Sequence, residues 1–551
     1  MCSYSAFTTA DGYLTNSPAC GSPELLTQIL RKDWGFDGFV LSDAGAVVFI
    51  GTTSIGGVRL GHGAVANDSA SAIRALEAGC DVELTCCGAQ AVFPTLVDSV
   101  AQQRVAEATL DAALARALKN RFELGELDPA GTFSWQTWAA PANVTTPEMV
   151  ALSAAAAAQA IVLLKNDAAL LPLSPDAYAG RSIALIGPLA NDPYAVLGGY
   201  GNTHPPFVST FLIGLQEVFP LSPVLLDAAC ATPACPQYNA SALALAQREE
   251  VALVVVALGT TSFYRPGANN ESGGCGCPPG NAIEAECCDR TDTALPGAQL
   301  ALLQALAALG KPLVLVLNSG GALDVEWARA SPAVPAMLHA PFLGMSAGVG
   351  LARVLTGQHN PSGKTTLTWY QNLARDLPPL SDYSDASLYA RTYRYTTAPI
   401  SFPFAYGLSY TQFRYATLSA APSAPRACDA ITLTVEVHNM GARDGVETVL
   451  AFGTLHNSTA ARTPRTQLLA FAKVRVPAQG STRAVLVIPP EAHAVLAQGE
   501  GLPLVVQPGM VALRVAGSSD PDSFPGSSGA GLMGSVTVVG PAVPLSECSG
   551  R

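Results

Sequence analysis

The chain has 551 residues, of which 49% are hydrophobic and 13% charged, so it carries enough apolar mass for large buried cores and is not a disordered chain. Its length predicts roughly two to four domains. A formal charge of −12 and the lack of any Lys/Arg-rich run exclude nucleic acid as a partner, and no apolar run is long enough for a membrane span.

In chain order, Ser22-Pro23-Glu24 reads as an N-cap, a proline at the first helical position and an acid in the first turn. Leu25, Leu26, Ile29 and Leu30 form one apolar face, and Gly35 stops the helix. A strand over Phe39–Ser42 follows, ending in Asp43. The pattern repeats after Asn67-Asp68-Ser69: a helix with Ile73 and Leu76, a stop at Gly79, and a strand over Asp81–Leu84. Helix followed by buried strand, twice, predicts parallel α/β architecture. Pro94 to about Leu124 reads as one helix. A closed eight-stranded barrel needs roughly 200 or more residues, so a segment with only two or three strands is expected to be part of one.

Pro129 to Pro147 is aperiodic and reads as a linker. Strands are then predicted at Ile161–Leu164, Ile183–Ile186, Val251–Leu258, Leu313–Leu317 and Ala336–Leu338, with a helix such as Pro296–Leu309 between them. Continuous apolar runs such as VALVVVAL suit strands covered on both faces. From about Ala430 the texture changes to strict alternation, as in ITLTVEVHN, which predicts an antiparallel β-sandwich.

Thirteen cysteines and sequons at Asn67, Asn143, Asn239, Asn270 and Asn457 point to an oxidising, extracellular setting. The odd count leaves at least one thiol unpaired or paired outside the chain. Met1-Cys2-Ser3-Tyr4 has no signal-peptide character, so an amino-terminal portion beyond this chain is expected.

Three motifs compete for the chemistry. GQHNPSGKTT (357–366) has five residues between its glycines where a phosphate loop has four, and it leads into a strand-like run. GMSAG (344–348) fits a nucleophile elbow at Ser346, for which His359, His438, His456 and His493 are the downstream histidines. Cys275, Cys277, Cys287 and Cys288 lack metal-ligand spacing and read better as disulfides bracing a loop; no metal or cofactor is expected. The carboxylates carry more: Asp43, Asp81 and Glu83 at strand ends, and Glu284, Glu286 and Asp289 in a long loop. Two acids converging from separate domains would suit cleavage of a glycosidic bond, one attacking the anomeric carbon and one protonating the leaving oxygen.

Several stretches together resemble glycoside hydrolase family 3, in particular its β-xylosidase/α-L-arabinofuranosidase branch. These are MCSYS, GFDGFVLSDAGAV, IVLLKNDAALLPL, IALIGPLAND, AIEAECCDRTDTALPG, NPSGKTTLTWY, RTYRYTTAPISFPFAYGLSYTQF and VEVHNMGARDGVETVLAF, in order. The resemblance implies an α/β fold: the C-terminal part of a (β/α)8, TIM-like barrel at 1–125, a linker at 126–148, and an α/β sandwich domain with the acid/base loop at 149–372. A connecting segment at 373–426 and a fibronectin type III-like domain at 427–541 complete it.

It also implies a retaining, metal-free exo-glycosidase, secreted, that removes terminal β-xylosyl or α-arabinofuranosyl units from plant-type oligosaccharides or polysaccharides. Asp43 would be the nucleophile and Glu286 the acid/base, with Glu284 as fallback. Tyr4 would lie beside the nucleophile. Ala44 stands where the glucosidase branch usually has Trp, which favours a pentose-type sugar. Ser5 and Cys287 replace the family's usual Asn and Gly. The family's first five or so barrel strands, with their sugar-holding polar residues, have no counterpart here. The competing expectations are a chain that binds carbohydrate without turnover and an esterase using Ser346.

Overall fold

In a computed structural model the chain divides into two compact units, Met1–Thr146 with Gly267–Gly276, and Pro147–Pro266 with Cys277–Arg551. The structure describes the chain except residues 1, 3–5, 9–13, 56–57, 86–90, 134, 136–144, 199–204, 262–283, 285–289, 291, 380–381, 383, 457, 459–462, 498–503, 525, 527 and 549–551; residues 6–8, 14–17, 53–55, 58–60 and 385 are described by their backbone.

In the first unit, Pro23 leads into a helix over Glu24–Asp33 that is wider than an α-helix, the Trp34 N–H reaching back to the Ile29 carbonyl. The next helix, α1 (Asp68–Ala78), follows its sequence signals closely. The Asn67 side chain accepts the Ala70 N–H at 2.9 Å, and Gly79, at φ +111°, ends it. The predicted helix from Pro94 to Leu124 is two helices, α2 (Leu96–Ala101) and α3 (Glu107–Glu123). Between them Gln103 takes a left-handed φ of +58°. The apolar spacing runs through this break, so periodicity alone does not register it.

The two predicted strands shrink to single parallel bridges, Leu41 with Val82 and Ser42 with Cys2. A side chain cuts the ladder short: Asp81 Oδ2 takes the Val40 N–H at 2.8 Å. The same carboxylate, wholly buried, receives Arg31 and Arg116, each at 2.6 Å. Arg31 reaches on to the carbonyls of Gly38 and Gly79. One buried acid thus ties the wide helix, the 38–43 segment and α3 together. Val40, Ile50, Ala72, Ala75 and Leu76 lie in the apolar core beside it.

The second unit begins with α4 (Pro147–Ala160) and a mixed sheet. Its six strands among the described residues are β5 (Val162–Asn166), β6 (Ser182–Ile186), β7 (Val224–Asp227), β8 (Val251–Gly259), β9 (Leu313–Asn318) and β10 (Ala336–His339), numbered after the short β1 (Ala6–Thr8), β2 (Leu14–Pro18), β3 (Thr53–Ile55) and β4 (Val58–Leu60) of the first unit. The order is β5-β10-β9-β8-β6-β7; β5 is antiparallel to β10 and all other pairs are parallel. The half-exposed edge strand β7 has an apolar run of only three residues, Val224 to Leu226, too short to stand out in the sequence. Two buried layers flank this sheet: Leu302, Leu303 and Leu306 of α7 (Gln299–Ala307) lie on one face, and Phe211, Leu215 and Leu351 on the other.

A connecting segment carries β11 (Trp369–Tyr370), paired with β12 (Ile400–Phe402). Two antiparallel sheets then pack over one core. The first holds β13 (Phe413–Ala421), β14 (Ile431–Asn439) and β17 (Ser481–Ile488); the second holds β15 (Gly445–Leu455), β16 (Gln467–Val476), β20 (Gly509–Ala516) and β21 (Leu532–Val538), with short β18, β19 and β22 forming a third sheet at Val495–Leu496, Leu504–Val506 and Val543–Pro544. Along β14 every second side chain is buried, from Ile431 to Asn439, as the alternation requires. A buried network pins these sheets to the α/β layer: Tyr415 donates to Glu447 Oε1 at 2.8 Å, and Lys364 lies 3.7 Å from the same oxygen.

Replacing Asp81 with Asn should leave two arginines short of a buried anion, costing roughly 3 kcal/mol of stability in the first unit. Denaturant unfolding of the full chain checks this; a loss below about 1 kcal/mol would contradict the anchoring role. A second expectation concerns acid. Burial pushes His339, packed edge-on against Trp369, down from the usual histidine range to about 4. Its folded pKa is depressed, so its contribution to stability is complete above about 6.5 and is lost as pH falls toward about 4. The thermal midpoint of His339→Gln should therefore fall less steeply than wild type over that interval.

Candidate active site

The three strand-end acids of the first unit have different fates. Asp81 is consumed by its two arginines. Glu83 accepts the Val92 N–H at 2.9 Å and the Phe93 N–H at 2.7 Å, fastening the turn that opens the 93–101 region. Both are structural, which corrects the expectation that either is a catalytic candidate. Asp43 differs. Its backbone N–H is fixed on the Cys2 carbonyl at 2.7 Å, and the Gly45 N–H on the Leu84 carbonyl at 2.8 Å. Its half-buried carboxylate receives the Ala44 N–H at 2.8 Å and, among the described residues, carries no ion pair. The segment is held by its backbone while the acid is left available. Tyr4 lies outside the described residues.

Beneath Asp43 three sulfurs converge. Cys2 and Cys20 form a disulfide, and Cys80 lies 3.6 Å from Cys2 Sγ. Cys80 is the free thiol among the described residues, and burial pushes it up to about 12. The other described disulfides are Cys230–Cys235 and Cys428–Cys548. Cys275, Cys277, Cys287 and Cys288 lie outside the described residues.

In the second unit Glu284 is described, whereas Glu286 and Asp289 lie outside the described residues. The Thr260 hydroxyl, just past β8, donates to Glu284 Oε2 at 2.6 Å, and Arg290 lies 3.7 Å from the same oxygen. Gly320 and Gly321 leave room for the other oxygen: a Cβ on Gly321 would sit 2.9 Å from Oε1. Burial pushes Arg290 below the usual arginine range, with Glu284 and Asp292 opposing the shift. Arg290 Nη1 donates to the Ala322 carbonyl, whereas Nη2 is buried with no hydrogen-bond partner among the described residues. Glu284, Arg290 and Gly321 line an open cavity of about 620 Å³, with Phe342, Tyr370 and Tyr393 along its walls. Thr260 has no motif of its own; Arg290 was visible only as part of the Asp-Arg pair in the acid-loop resemblance.

The competing motifs resolve structurally. Ser346 is buried and its Oγ has no hydrogen-bond partner, so no histidine among the described residues activates it. Gly348 of the same motif lets α9 (Ala347–Leu355) approach α5 (Phe211–Val218), since a Cβ there would run into the Thr210 carbonyl. The esterase expectation at Ser346 is thereby overturned. In 357–366, Lys364 serves the buried Glu447 network, and Gly363 packs against the Ile161 backbone.

The first unit thus holds a carboxylate at the end of a parallel-bridged segment, and the mixed-sheet unit presents another over a cavity. Residues 1–119 match the glycosyl hydrolase family 3 N terminal domain and residues 161–410 the glycosyl hydrolase family 3 C-terminal domain. The chain belongs to glycoside hydrolase family 3. It is 30% identical to Beta-D-xylosidase 1 of Arabidopsis thaliana over 511 residues, covering 86% of this chain and 60% of that protein. A Beta-xylosidase/alpha-L-arabinofuranosidase 2 of Medicago sativa subsp. varia is also 30% identical, over 508 residues, 86% of this chain and 59% of that protein. The chain thus spans about 60% of the length of these relatives. Among solved structures, a β-glucosidase from Erythrobacter marinus superposes with a TM-score of 0.75 at 27% identity, over 95% of this chain and 66% of that one. A family 3 exo-β-xylosidase bound to a xylobiose aziridine probe shares the fold, with a TM-score of 0.74 at 23% identity, over 96% of this chain and 65% of that one.

Peptide mapping without reduction should recover the Cys2–Cys20 and Cys428–Cys548 links. Cys80 should resist iodoacetamide in the native protein and react once it is unfolded; rapid native alkylation would contradict its burial.

Proposed function

We propose that this chain forms part of a retaining exo-glycosidase that removes terminal β-xylosyl or α-L-arabinofuranosyl units, with Asp43 as nucleophile and Glu286 as acid/base. The observation that supports it most is the sorting of acids in the first unit: Asp81 and Glu83 are bound into the scaffold, and Asp43 is not. In the first step Asp43 attacks the anomeric carbon while Glu286 gives its proton to the glycosidic oxygen, whose bond to that carbon breaks. In the second, Glu286 takes a proton from water, which displaces Asp43 and restores the original anomeric configuration. Retention by this route requires the two carboxyl groups to be about 5–5.5 Å apart.

Glu284 is the fallback acid/base. It already accepts from Thr260 and faces Arg290, which suits it to positioning or to holding a sugar hydroxyl. Tyr4 is assigned to the sugar beside Asp43. The antiparallel sheets from Phe413 onward are read as a fibronectin type III-like domain. Three disulfides and the sequons support a secreted glycoprotein. No helix among the described residues is long and apolar enough to cross a membrane. The second reading is carbohydrate binding without turnover, supported by the buried Arg290 Nη2, which lies beside the Glu284 cavity without a hydrogen-bond partner among the described residues.

Assays on aryl β-D-xylosides and aryl α-L-arabinofuranosides test both readings. Asp43→Ala should lower kcat/KM roughly a thousandfold or more, and Ser346→Ala should leave it unchanged. Azide should rescue the acid/base variant, forming a glycosyl azide: rescue of Glu286→Ala supports the first assignment, rescue of Glu284→Ala the fallback. Turnover that survives Asp43→Ala would sink the mechanism, and binding without turnover by the wild-type chain would favour the second reading.

A further inference from the structure

Cys80 is a buried nucleophile that the proposed mechanism does not use. Its sulfur lies 3.6 Å from Sγ of Cys2, which is bonded in turn to Cys20. All three residues are buried, and their sulfurs lie within 4.8 Å of one another. The 3.6 Å contact is close to the roughly 3–3.5 Å at which positioned groups react. A thiol held against a disulfide can exchange with it, and that reaction needs no outside oxidant or reductant.

Each sulfur is presented by an anchored segment. The Cys2 N–H donates to the Leu41 carbonyl at 2.9 Å, and the Cys2 carbonyl takes the Asp43 N–H at 2.7 Å. Cys20 sits in the short turn Ala19–Gly21, whose Gly21 carbonyl accepts Arg74 Nε of α1 at 2.7 Å. Cys80 follows Gly79 at the end of α1, donates its N–H to the Ala75 carbonyl at 3.0 Å and precedes the anchored Asp81. Cys2 thus faces two fixed partners. The Cys80 thiol itself is loosely held: the carbonyls of Val82 and Val40 lie 3.7 Å and 3.9 Å from its sulfur. Burial, then the Asp81 and Glu83 carboxylates, push it up to about 12; Arg31 and Arg116 are the cations paired with Asp81. The thiol is therefore protonated at neutral pH, and its reactive thiolate share rises about tenfold with each pH unit below that value.

We propose that Cys2, Cys20 and Cys80 form an exchange relay that keeps one disulfide in either of two pairings, Cys2–Cys20 or Cys2–Cys80. Cys80 gives up its proton, and its thiolate attacks Cys2 Sγ. The Cys2–Cys80 bond forms as the bond to Cys20 breaks; Cys20 leaves with the electron pair and takes up a proton. One disulfide and one thiol stand on each side, so nothing is oxidised or reduced overall. The second pairing joins residues 78 apart in sequence rather than 18, and the longer loop restrains the unfolded chain more. Cys2 is tied in both pairings, so the residue whose carbonyl fixes the Asp43 N–H keeps its cross-link, whereas the 19–21 turn loses it. The relay is a switch in how the first unit is cross-linked, and it does not depend on the glycosidase reading.

Disulfide mapping of the full chain tests it. The protein is held at about pH 9 without reductant, where the thiolate share is raised, then quenched in acid, alkylated with N-ethylmaleimide in denaturant and digested with pepsin. Both Cys2–Cys20 and Cys2–Cys80 should be recovered, and the share of chains with alkylated Cys20 should match the share carrying Cys2–Cys80. Cys428–Cys548 should stay intact, which sets the exchange apart from general scrambling. Cys80→Ala should yield Cys2–Cys20 without the second pairing. Cys20→Ser, with a thermal midpoint that shows it folded, should yield Cys2–Cys80. Recovery of Cys2–Cys20 alone from wild type, with Cys80 alkylated and Cys20 not, overturns the proposal. So does Cys80 linked to any cysteine other than Cys2. The wild-type map decides the matter even where Cys20→Ser does not fold.

Discussion

The Asp81 carboxylate, buried between Arg31 and Arg116, is the interaction on which the proposed nucleophile's position depends. One oxygen accepts the Val40 N–H, so the chain entering Asp43 is fixed by a side chain rather than by a long ladder. The guanidiniums extend the tie to the wide helix and to α3. A buried acid with two cationic partners is stabilising only when every lone pair is used, and here backbone and side-chain donors use them. The same geometry takes Asp81 out of any chemistry and leaves Asp43, two residues beyond the bridge at Leu41, without an ion pair among the described residues.

The second unit solves a related problem with different means. Its sheet presents Thr260, Gly320 and Gly321 just past the carboxyl ends of β8 and β9, where ligands in open α/β sheets commonly bind. Small residues there matter as much as charged ones, because Glu284 Oε1 occupies the space that a side chain on Gly321 would fill. The antiparallel sheets that follow are joined to this layer by Lys364, Glu447 and Tyr415.

Legibility followed the range of the interaction. The cap at Asn67, the stop at Gly79, the apolar runs of β8 and β9 and the alternation of β14 are local patterns, and each appears in the structure where the sequence placed it. The break at Gln103 and the edge strand β7 were not legible. One is a conformational choice inside an unbroken apolar rhythm, and the other has only a half-buried face. GMSAG matched a catalytic pattern for a different reason: a glycine needed for helix packing and a buried serine satisfy the same short pattern as a catalytic turn.

By itself, then, the sequence determined the α/β class, the sheet-rich tail, the family resemblance and a short roster of acids, because apolar periodicity and contiguous motifs are written along the chain. Only the tertiary structure decided which acids are spent. Asp43, Asp81 and Glu83 are equivalent as residues at strand ends. They differ because Arg31 and Arg116, fifty residues before and thirty-five after Asp81, fold onto it, while the Val92 and Phe93 amides close on Glu83. Whether a carboxylate is free for chemistry depends on what surrounds it in space, and that is settled by packing between segments distant in sequence.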